Sequence, residues 1–518
     1  MIEPLSRRDF LKILAALPPG LLFTKYFKEP DLPLQAENAE NVLIVVFDAF
    51  SAKHLSFNGY PRKTTPNLSR ILDRATVYHN HYSGGNWTTP GTATLLTGTL
   101  PWTHRAFSIR DKIAQDKVDH NMFRAFERHY RVAYSHNSIP PRFFGQFSHD
   151  IETIKPQKEL FTVNNLSLDR LFTWDNDIAS LSWDRIVKKG EKGYTYSPLF
   201  ARLYENYVSG REDVLLDRFP RGIPHTGEDD YFLLEDGIDW LVSEVGTIPQ
   251  PFAGYVHFLP PHRPYFTRSE FVNYFRNDGV DYYIDKPRHP YFSQGDPDKP
   301  VNLDYQSRQR QFYDEFILYV DAEFGRFYDS MKQSGALDNT WLVFTSDHGE
   351  MFERGIFGHR TPALYDPVIR IPLVICAPGQ RERQDIFTPT SSVDVLPTLL
   401  KVTGQPLPSW LEGSVLPPFS GTTPDPERSI FALEATHSEK YAPLSIATVM
   451  MVKGRYKLTK YFGYEVLGDQ DPMYELFDLE NDPEEFENIY TEDSSLARDL
   501  REEMTTKIAE VDEPYRKE

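Results

Sequence analysis

Two aspartates and a histidine, far apart in the sequence, each follow a run of mostly apolar residues. Asp48 comes directly after the run 41–47, and Asp347 and His348 come directly after the run 340–346. Two carboxylates and an imidazole are typical ligands of a divalent cation. Taken singly, each has a plainer explanation, since Asp48 could cap a helix and the later pair could belong to an ordinary turn. Taken together, they predict a metal site.

The segment GGNWTTPGTATLLTG (84–98) places hydroxyl groups where a helix is expected to begin, near Pro90. The N–H groups of a first helical turn have no partners inside the helix, and they favour a negative charge nearby. Thr88 and Thr89 could therefore be simple N-caps. The alternative is that one of them is a nucleophile, whose alkoxide the helix N-terminus would favour.

Apolar runs alternate with helical patterns along the chain. The runs at 41–50, 340–350 and 368–379 are typical of buried strands, and residues 310–333 carry apolar side chains at helical spacing. This alternation predicts an α/β fold with a central, mostly parallel sheet flanked by helices. In such sheets the binding and catalytic residues lie just beyond the carboxyl ends of the strands. Both aspartates fall at such ends.

The pattern changes along the chain and divides it into three predicted parts. These are an export signal at 1–35, a catalytic domain at 41–405 and a small C-terminal α+β subdomain at 406–518. Residues from about 140 to 305 are irregular and rich in aromatic residues, proline and glycine. We interpret them as insertions on the catalytic domain, and we expect them to determine which substrate binds.

The overall charge limits the class of partner. The 518 residues include 56 Lys and Arg against 75 Asp and Glu, a formal net charge of −19. This balance argues against a nucleic-acid partner, because phosphate backbones attract clustered basic residues. A small anionic substrate remains compatible, because a bound cation reverses the sign of the local field. The single cysteine, Cys376, lies in a strand pattern, so we interpret it as structural.

The N-terminus resembles a twin-arginine export signal. Arg7 and Arg8 are followed by Phe10, Leu11 and Lys12 and then by an apolar run that prolines interrupt. That run is shorter than the ~20 residues that span a bilayer. The pattern predicts export by the twin-arginine translocation machinery, to the periplasm or the cell exterior. An ordinary basic helix is the alternative, and retention at the membrane by an uncleaved N-terminus stays open.

Beyond these separate signals, the chain resembles the alkaline phosphatase–sulfatase superfamily, and within it the sulfatase-like branch. The resemblance rests on motifs that occur in order over residues 41 to 490, namely NVLIVVFDAF, GYPRKTTPNL, NWTTPGTATLLTG, VHFLPPHRPY, YVDAEFGRFYDSMKQSGALDNTWLVFTSDHGE, FGHRTPALYDPVIRIPLVI, SSVDVLPTLLKVTG and ELFDLENDPEEFENI. It implies an alkaline phosphatase-like sandwich and an enzyme that acts on an anionic ester.

The resemblance places Thr88 at the nucleophile position. Sulfatases have a Cys or Ser there, which is converted to formylglycine, and an arginine four residues later. In this chain Thr88 and Thr92 occupy those two positions. Threonine cannot become formylglycine, so the resemblance argues against an ordinary formylglycine sulfatase. Threonine is the nucleophile in similar branches, which include nucleotide phosphodiesterases, phosphoethanolamine transferases and glycerophosphate polymerases.

The same resemblance implies a set of metal ligands. The set holds one divalent cation, Mn²⁺, Mg²⁺, Ca²⁺ or Zn²⁺, and consists of Asp48, Thr88, Asp347 and His348. Two other histidines, His79 and His81, match a segment that is usually packing in the family, and we assign them no role. His257 lies in the apolar part of VHFLPPHRPY, and we interpret it as structural.

Two further histidines match positions that face the substrate in the family. His262, in PHRPY, and His359, in FGHR, are the expected groups that protonate the leaving oxygen. Arg360 and Asn86 are the substrate-binding candidates. Arg360 is interpreted as an anion clamp, because guanidinium groups bind the oxygens of phosphate and carboxylate in pairs.

We therefore expect a metal-dependent hydrolase of sulfate or phosphate esters, with phosphodiesters favoured, in which Thr88 attacks and a covalent threonyl intermediate is resolved by water. Three alternatives remain: a sulfuric ester hydrolase, a phosphoethanolamine or glycerophosphate transferase of the cell envelope, and an inactive relative that binds its ligand. The substrate could be linked to a glycan or a lipid, and its identity does not follow from the sequence.

Overall fold

The computed structural model describes residues 40–162, 215–226, 231–280, 286–295, 302–423 and 425–516. The predicted export signal at 1–35 lies outside the described residues, as do several stretches of the predicted insertion region. None of the described helices is both long enough and apolar enough to cross a membrane.

The strands and helices are numbered in chain order. The strands are β1 (Asn41–Phe47), β2 (Thr76–Tyr78), β3 (His81–Tyr82), β4 (Tyr130–Ser135), β5 (Thr153–Ile154), β6 (Phe252–Phe258), β7 (Thr340–Thr345), β8 (Met351–Glu353), β9 (Ile356–Gly358), β10 (Leu373–Cys376), β11 (Gln384–Ile386), β12 (Thr390–Ser391), β13 (Ile430–Glu434), β14 (Ala447–Lys453), β15 (Tyr456–Phe462) and β16 (Met473–Asp478). The helices that bear on the site and its support are α1 (Pro66–Ile71), α2 (Thr88–Thr97), α3 (Pro101–His104), α4 (Met122–Ala125), α5 (Pro140–Gln146), α6 (Leu234–Val245), α7 (Leu303–Gln333), α8 (Asp366–Ile369), α9 (Val395–Val402) and α10 (Ser495–Asp512).

A large sheet forms the centre of the fold. Its eight strands lie in the order β11-β2-β10-β7-β1-β6-β4-β5. Neighbours pair in parallel except at β10, which runs antiparallel to β7 and to β2. The predicted α/β fold with a mostly parallel sheet is confirmed. The sequence did not reveal that β10 is reversed, and its carboxyl end therefore lies at the opposite edge from the ends of β1 and β7.

The side chains of β1 alternate between two cores. Leu43, Val45 and Phe47 pack in the core that includes α6 and α7, whereas the residues between them pack in the core that includes α2, α5 and α9. Every residue of β1 is buried. A strand covered on both faces needs apolar side chains at every position, which explains the continuous apolar run. The helices therefore flank the sheet on both sides.

A smaller sheet lies towards the C-terminus. It is antiparallel, with the order β13-β14-β15-β16. Apolar side chains of α10 pack on one face of this sheet, and residues of the segment 351–369 pack on the other. The smaller sheet therefore supports the stretch of chain that continues from Asp347 and His348.

A buried lysine links the smaller sheet to α8. Lys457 in β15 is 1% exposed, and its Nζ lies 3.0 Å from Oδ1 of Asp366 and 2.6 Å from Oε1 of Glu485. Burial opposes the charge, but the two carboxylates raise the pKa of Lys457 above its ordinary value. Asp366 begins α8, where the carbonyl oxygen of Val368 accepts a 2.6 Å hydrogen bond from the backbone N–H of Gly349. The ion network thus holds a helix that contacts the residue after His348.

Replacing this lysine should destabilise the protein strongly. We expect Lys457→Met to lower the free energy of unfolding in urea by about 3–5 kcal/mol, because it removes the buried cation closest to two buried carboxylates. The matched control is Lys453→Met, which removes the partly exposed Lys453–Glu503 pair and should cost about 1 kcal/mol or less. Equal losses for the two variants would contradict the role given to Lys457.

Candidate active site

Polar residues meet where four neighbouring strands of the large sheet end. Asp347 and His348 follow β7, Asp48 follows β1, and Asn137 lies two residues beyond β4. His257, near the end of β6, completes the set. Because β7, β1, β6 and β4 are parallel neighbours, their carboxyl ends lie side by side, and the residues come together despite their separation in sequence.

Three of these side chains form a compact group of cation ligands. Carboxylate oxygens of Asp48 and Asp347 and a ring nitrogen of His257 all lie within 4.8 Å of one another, and all three residues are buried. Nε2 of His257 is 3.3 Å from Oδ2 of Asp48 and 3.8 Å from Oδ2 of Asp347. Nε2 of His348 lies 3.3 Å from Oδ1 of Asp48 and 3.6 Å from Oδ2 of Asp347. The predicted ligands Asp48, Asp347 and His348 are therefore adjacent.

The unsatisfied atoms of this group fit a divalent cation. Oδ1 of Asp48 and Oδ2 of Asp347 are buried and accept no hydrogen bond, which is unusual because buried polar atoms normally have partners. Nδ1 of His348 lies 2.9 Å from the carbonyl oxygen of Gly349. That contact fixes Nδ1 as the protonated nitrogen and directs the Nε2 lone pair of a neutral ring at the carboxylates. Metal-binding histidines are commonly oriented in this way.

The charges in the group are strongly coupled. Burial alone would raise the pKa of Asp48, but His262, His257 and His348 outweigh it and hold that pKa well below its usual range. Burial and the neighbouring Asp48 carboxylate raise the pKa of Asp347. Despite burial, the two aspartates raise the pKa of His348 to about 9. In the protein without a cation, protonated His348 is therefore the counter-charge of the aspartates, and a bound cation would take over that role.

His257 differs from its prediction. The sequence favoured a packing role, because the residue lies in an apolar stretch. In the structure its backbone is paired with Val46 on β1, and its side chain reaches the carboxylates of both aspartates. A histidine one residue before the end of a strand that neighbours β1 is the signal that could have found it. That signal requires the strand order, which the sequence did not supply.

Thr88 lies at the start of α2 and faces the same group. The helix begins at Thr88, two residues earlier than Pro90, and its N-cap is Trp87, whose side chain makes no capping hydrogen bond. Oγ1 of Thr88 is 3.4 Å from Nε2 of His348. A Cβ on Gly91 would lie 2.2 Å from the carbonyl oxygen of Asp347. Glycine therefore lets the first turn of α2 approach the metal-ligand group closely, and Thr88 is not the N-cap.

Asn86 connects the start of α2 to the loop that carries His359. Its Nδ2 donates to the carbonyl oxygens of His359 at 3.0 Å and Thr361 at 2.8 Å. Both donor hydrogens are thus used by the backbone, and Oδ1 has no partner. This geometry gives Asn86 a clear positioning contact, while its predicted contact with substrate stays a prediction.

The two histidines expected to handle the leaving group lie close to each other. The ring centroids of His262 and His359 are 5.1 Å apart, and that of His359 is 4.3 Å from that of His348. Nδ1 of His262 lies 2.7 Å from the carbonyl oxygen of Arg263. Nδ1 of His359 lies 3.1 Å from Oε1 of Glu350. In both rings Nδ1 is engaged, so Nε2 is the nitrogen left for a substrate.

Burial keeps the rings of His262 and His359 neutral in the ligand-free protein. Burial, opposed by Asp48, lowers the pKa of His262 to about 4. Burial and the charge of His348 lower the pKa of His359 well below its usual value. A bound anion shifts both pKa values upwards again. A proton for the leaving oxygen would therefore be acquired together with the substrate.

Arg360 and Thr92 take up different positions. The guanidinium carbon of Arg360 lies 5.2 Å from the ring centroid of Trp87, the residue before Thr88. Thr92 is fully buried in α2. The predicted clamp is thus beside the start of α2, whereas Thr92 brings no charge to the site.

The residues assigned no chemistry have other partners. His79 Nε2 lies 2.6 Å from Oδ1 of Asp385, and His81 Nδ1 lies 2.9 Å from Oγ1 of Thr390. Burial raises the pKa of the Cys376 thiol to about 12, so the thiol stays protonated. None of the three reaches the metal-ligand group.

Two further residues at the site were not predicted. The side-chain amide of Asn137 donates to Oδ2 of Asp48. Glu350 is fully buried against His359, and burial raises its pKa. Asn137 follows a strand end, and Glu350 ends the quoted motif SDHGE, so both had a positional signal. Neither residue type is distinctive enough at such a position to identify it without a structure.

Comparison with known families identifies the class. The model of the sulfatase family matches residues 40–405, and a model described as N-sulphoglucosamine sulphohydrolase, C-terminal, matches residues 352–513. The first match alone covers more than half of the chain. The chain therefore belongs to the sulfatase family and is a sulfatase-family hydrolase, as its resemblance to the alkaline phosphatase–sulfatase superfamily predicted.

Individual relatives are distant but match over most of their length. The chain is 25% identical over 477 residues to choline-sulfatase of Rhizobium meliloti (strain 1021), covering 87% of this chain and 82% of that protein. It is 25% identical over 501 residues to arylsulfatase K of Canis lupus familiaris, covering 91% and 82%. The solved structure of a phosphonate monoester hydrolase of Agrobacterium radiobacter superposes with a TM-score of 0.63 at 18% identity, covering 91% of this chain and 96% of that one. This superposition supports the alkaline phosphatase-like fold.

Proposed function

We propose that the protein is a metal-dependent hydrolase of sulfate or phosphate esters that uses Thr88 as its nucleophile. The observation that carries this proposal is the position of the Thr88 hydroxyl. Thr88 begins α2, and its Oγ1 lies 3.4 Å from Nε2 of His348. It faces two buried aspartates, in which Oδ1 of Asp48 and Oδ2 of Asp347 accept no hydrogen bond.

The side chains that would hold the cation are Asp48, Asp347, His257 and His348, with the Thr88 hydroxyl beside them. When bound, a divalent cation would stabilise negative charge on the transferred group and lower the pKa of a neighbouring hydroxyl. The donor set of carboxylate oxygens and imidazole nitrogens suits Mn²⁺ or Zn²⁺ as well as Mg²⁺ or Ca²⁺.

The remaining residues have complementary roles in an in-line displacement. The hydroxyl of Thr88 loses its proton to water when it is activated, its oxygen attacks the sulfur or phosphorus atom, and the bond to the leaving oxygen breaks. The backbone N–H groups at the start of α2 favour the anion there. The rings of His262 and His359 are 5.1 Å apart, and the ring of His359 is 4.3 Å from that of His348. Once protonated, the Nε2 atom of either ring can pass a proton to the leaving oxygen. Water then attacks the threonyl ester, and the same nitrogens accept the proton of that water. The bond between the transferred group and the Thr88 oxygen breaks, and that oxygen takes a proton from solvent to restore the hydroxyl.

We expect phosphorus esters to be better substrates than sulfate esters, and diesters better than monoesters. The family places an arginine where this chain has Thr92, so one positive charge is missing beside the reacting group. A monoester carries more negative charge than a diester and should suffer more from that loss. Loss of one charge-assisted hydrogen bond costs about 1.5–3 kcal/mol, or roughly 10- to 150-fold in rate.

A substrate panel tests this order. We would measure kcat/KM for a nitrophenyl sulfate, phosphate monoester, methyl phosphodiester and phosphonate monoester, with each candidate cation added. The proposal expects the phosphodiester to give the highest value. The names of the curated relatives, choline-sulfatase and arylsulfatase K, make sulfate-ester hydrolysis the second candidate. A highest value for the aryl sulfate would establish that candidate instead, and no turnover at all would favour an inactive relative.

We also propose that the chain is exported in the folded state. The support is the pattern of Arg7, Arg8, Phe10, Leu11 and Lys12 before a weak apolar run. A double substitution, Arg7→Lys with Arg8→Lys, should leave most of the protein in the cytoplasm when cell fractions are compared by immunoblot. Substituting two arginines elsewhere on the surface is the control. Unchanged export of the double variant would contradict the assignment.

A further inference from the structure

Two arginines lie next to the histidines that are proposed to serve the leaving group. Arg263 directly follows His262, and Arg360 directly follows His359. The rings of those histidines are 5.1 Å apart. His359 is buried, whereas both arginines are exposed. The arginine pair therefore lies on the solvent side of the site, over the leaving-group histidines.

Among the described residues, neither arginine has a carboxylate as a direct ion-pair partner. Within the described part of the chain, no carboxylate forms an ion pair with Arg263 or Arg360, and neither guanidinium donates a hydrogen bond. Each instead lies near an aromatic ring, Arg360 at 5.2 Å from the Trp87 centroid and Arg263 at 5.9 Å from that of Phe357. An aromatic ring holds a guanidinium in place without neutralising its charge, so the N–H groups of both arginines stay available to bind an anion.

The two positive charges act on each other. Burial and the nearby Arg263 both lower the pKa of Arg360, which means that the pair is repulsive without an anion between or beside it. The carboxylate of Glu350 is fully buried, its Oε1 lies 3.1 Å from Nδ1 of His359, and the charge of Arg263 acts on it without forming an ion pair. Such a pair is notable in a chain whose formal charge is −19. Guanidinium groups match the paired oxygens of carboxylate, sulfate and phosphate.

We propose that Arg263 and Arg360 form a second anion subsite, which binds a further anionic group carried by the leaving-group side of the substrate. This subsite depends on the ester hydrolysis proposed above, and it restricts the esters that the enzyme would prefer. The guanidinium of Arg360 lies over the ring of Trp87, the residue before Thr88, so the second anion would lie near the ester that reacts. The preferred substrates are therefore esters that carry at least two separate negative groups.

The same pair disfavours a cationic leaving group. A quaternary ammonium group is bound by open aromatic faces, and here a guanidinium already lies over Trp87. A substrate such as the one in the name choline-sulfatase would bring a third positive charge to this position. The subsite thus predicts a clear difference in specificity from that relative.

Matched leaving groups test the subsite. The probes are phenyl, 3-sulfonatophenyl and 3-(trimethylammonio)phenyl esters, made with whichever reacting group the enzyme hydrolyses best. We expect kcat/KM to be highest for the sulfonate and lowest for the ammonium compound. The ratio of sulfonate to phenyl should fall about fivefold in Arg263→Gln and in Arg360→Gln, because exposed charge contacts are screened, and further in the double variant. Added salt should reduce the ratio in the same direction.

Arg128→Gln is the control, since Arg128 is exposed and precedes β4 at the opposite edge of the sheet. It removes the same charge, and its ratio of kcat/KM for the sulfonate ester to kcat/KM for the phenyl ester should equal that of the unmodified protein. A second readout does not need turnover: calorimetric binding of phenyl sulfate and of benzene-1,3-disulfate to Thr88→Ala. Weak turnover with an unchanged ratio in the double variant, or equal binding of both probes, would overturn the subsite. If Thr88→Ala binds the disulfate more tightly than phenyl sulfate while the unmodified protein hydrolyses none of the esters, the subsite is supported and the proposed function is contradicted.

Discussion

Thr88→Ala should abolish turnover while the protein still folds and still binds its cation. If Thr88 is the nucleophile, its removal leaves no group that can form the covalent intermediate. Removing the nucleophile of a well-studied hydrolase costs about 10⁶-fold in kcat, and we expect a loss of roughly 10⁴- to 10⁶-fold here. The aspartates and histidines that would hold the cation are unchanged, so metal content per folded chain should stay near that of the unmodified protein. Initial rates and elemental analysis measure the two quantities.

The adjacent threonine provides a matched control. Thr89 is also buried in the first turn of α2, and its Oγ1 has no hydrogen-bond partner. Thr89→Ala removes the same atoms one residue away and should cost less than about tenfold, as expected for a loss of packing alone. Thr88→Ser, which keeps a hydroxyl, should recover part of the rate. Near-normal rates in Thr88→Ala would contradict the assignment of the nucleophile.

Asp48→Asn should remove the cation and the activity together. Removing a residue that merely orients a metal ligand costs about 10- to 100-fold in affinity, and removing a carboxylate ligand itself should cost more. We therefore expect the metal content to fall from about one ion per chain to a small fraction after dialysis. His257→Ala should also lower it, since the structure places this ring between the two aspartates.

Asp321→Asn is the control for burial. Asp321 is 3% exposed in α7, and its Oδ1 accepts a 2.7 Å hydrogen bond from the backbone N–H of Leu68. It makes no contact with the metal-ligand group, so its variant should keep the cation even if it loses stability. Wild-type metal content in Asp48→Asn, or equal losses in both variants, would show that the site is misassigned.

The ends of the buried strands explain which residues of the site could be predicted from the sequence. β1 and β7 are continuous apolar runs because both faces of the sheet are covered, and polar residues directly after such runs mark the carboxyl edge. That made Asp48, Asp347 and His348 predictable from local pattern alone. The helical spacing at 310–333 likewise predicted the buried face of α7, which in the structure extends over Leu303–Gln333.

Other features depend on neighbours that the sequence does not order. His257 reaches the carboxylates only because β6 lies beside β1, and Asn137 only because β4 lies beside β6. The close approach of Gly91 in α2 to the Asp347 carbonyl also joins segments more than two hundred residues apart, and the sequence pattern near Pro90 does not show it. The pairing of Arg263 with Arg360 has the same origin, since it requires two distant loops to meet.

The most direct test of the account is to trap the covalent intermediate. The enzyme would be mixed with its best ester substrate, quenched in acid during the first turnovers, digested and examined by mass spectrometry. The account predicts that the peptide containing Thr88 gains the mass of the transferred group, and that Thr88→Ala shows no such gain. Rapid turnover with the modified group on another residue, or with no modified peptide in the quenched enzyme, would contradict a threonine nucleophile.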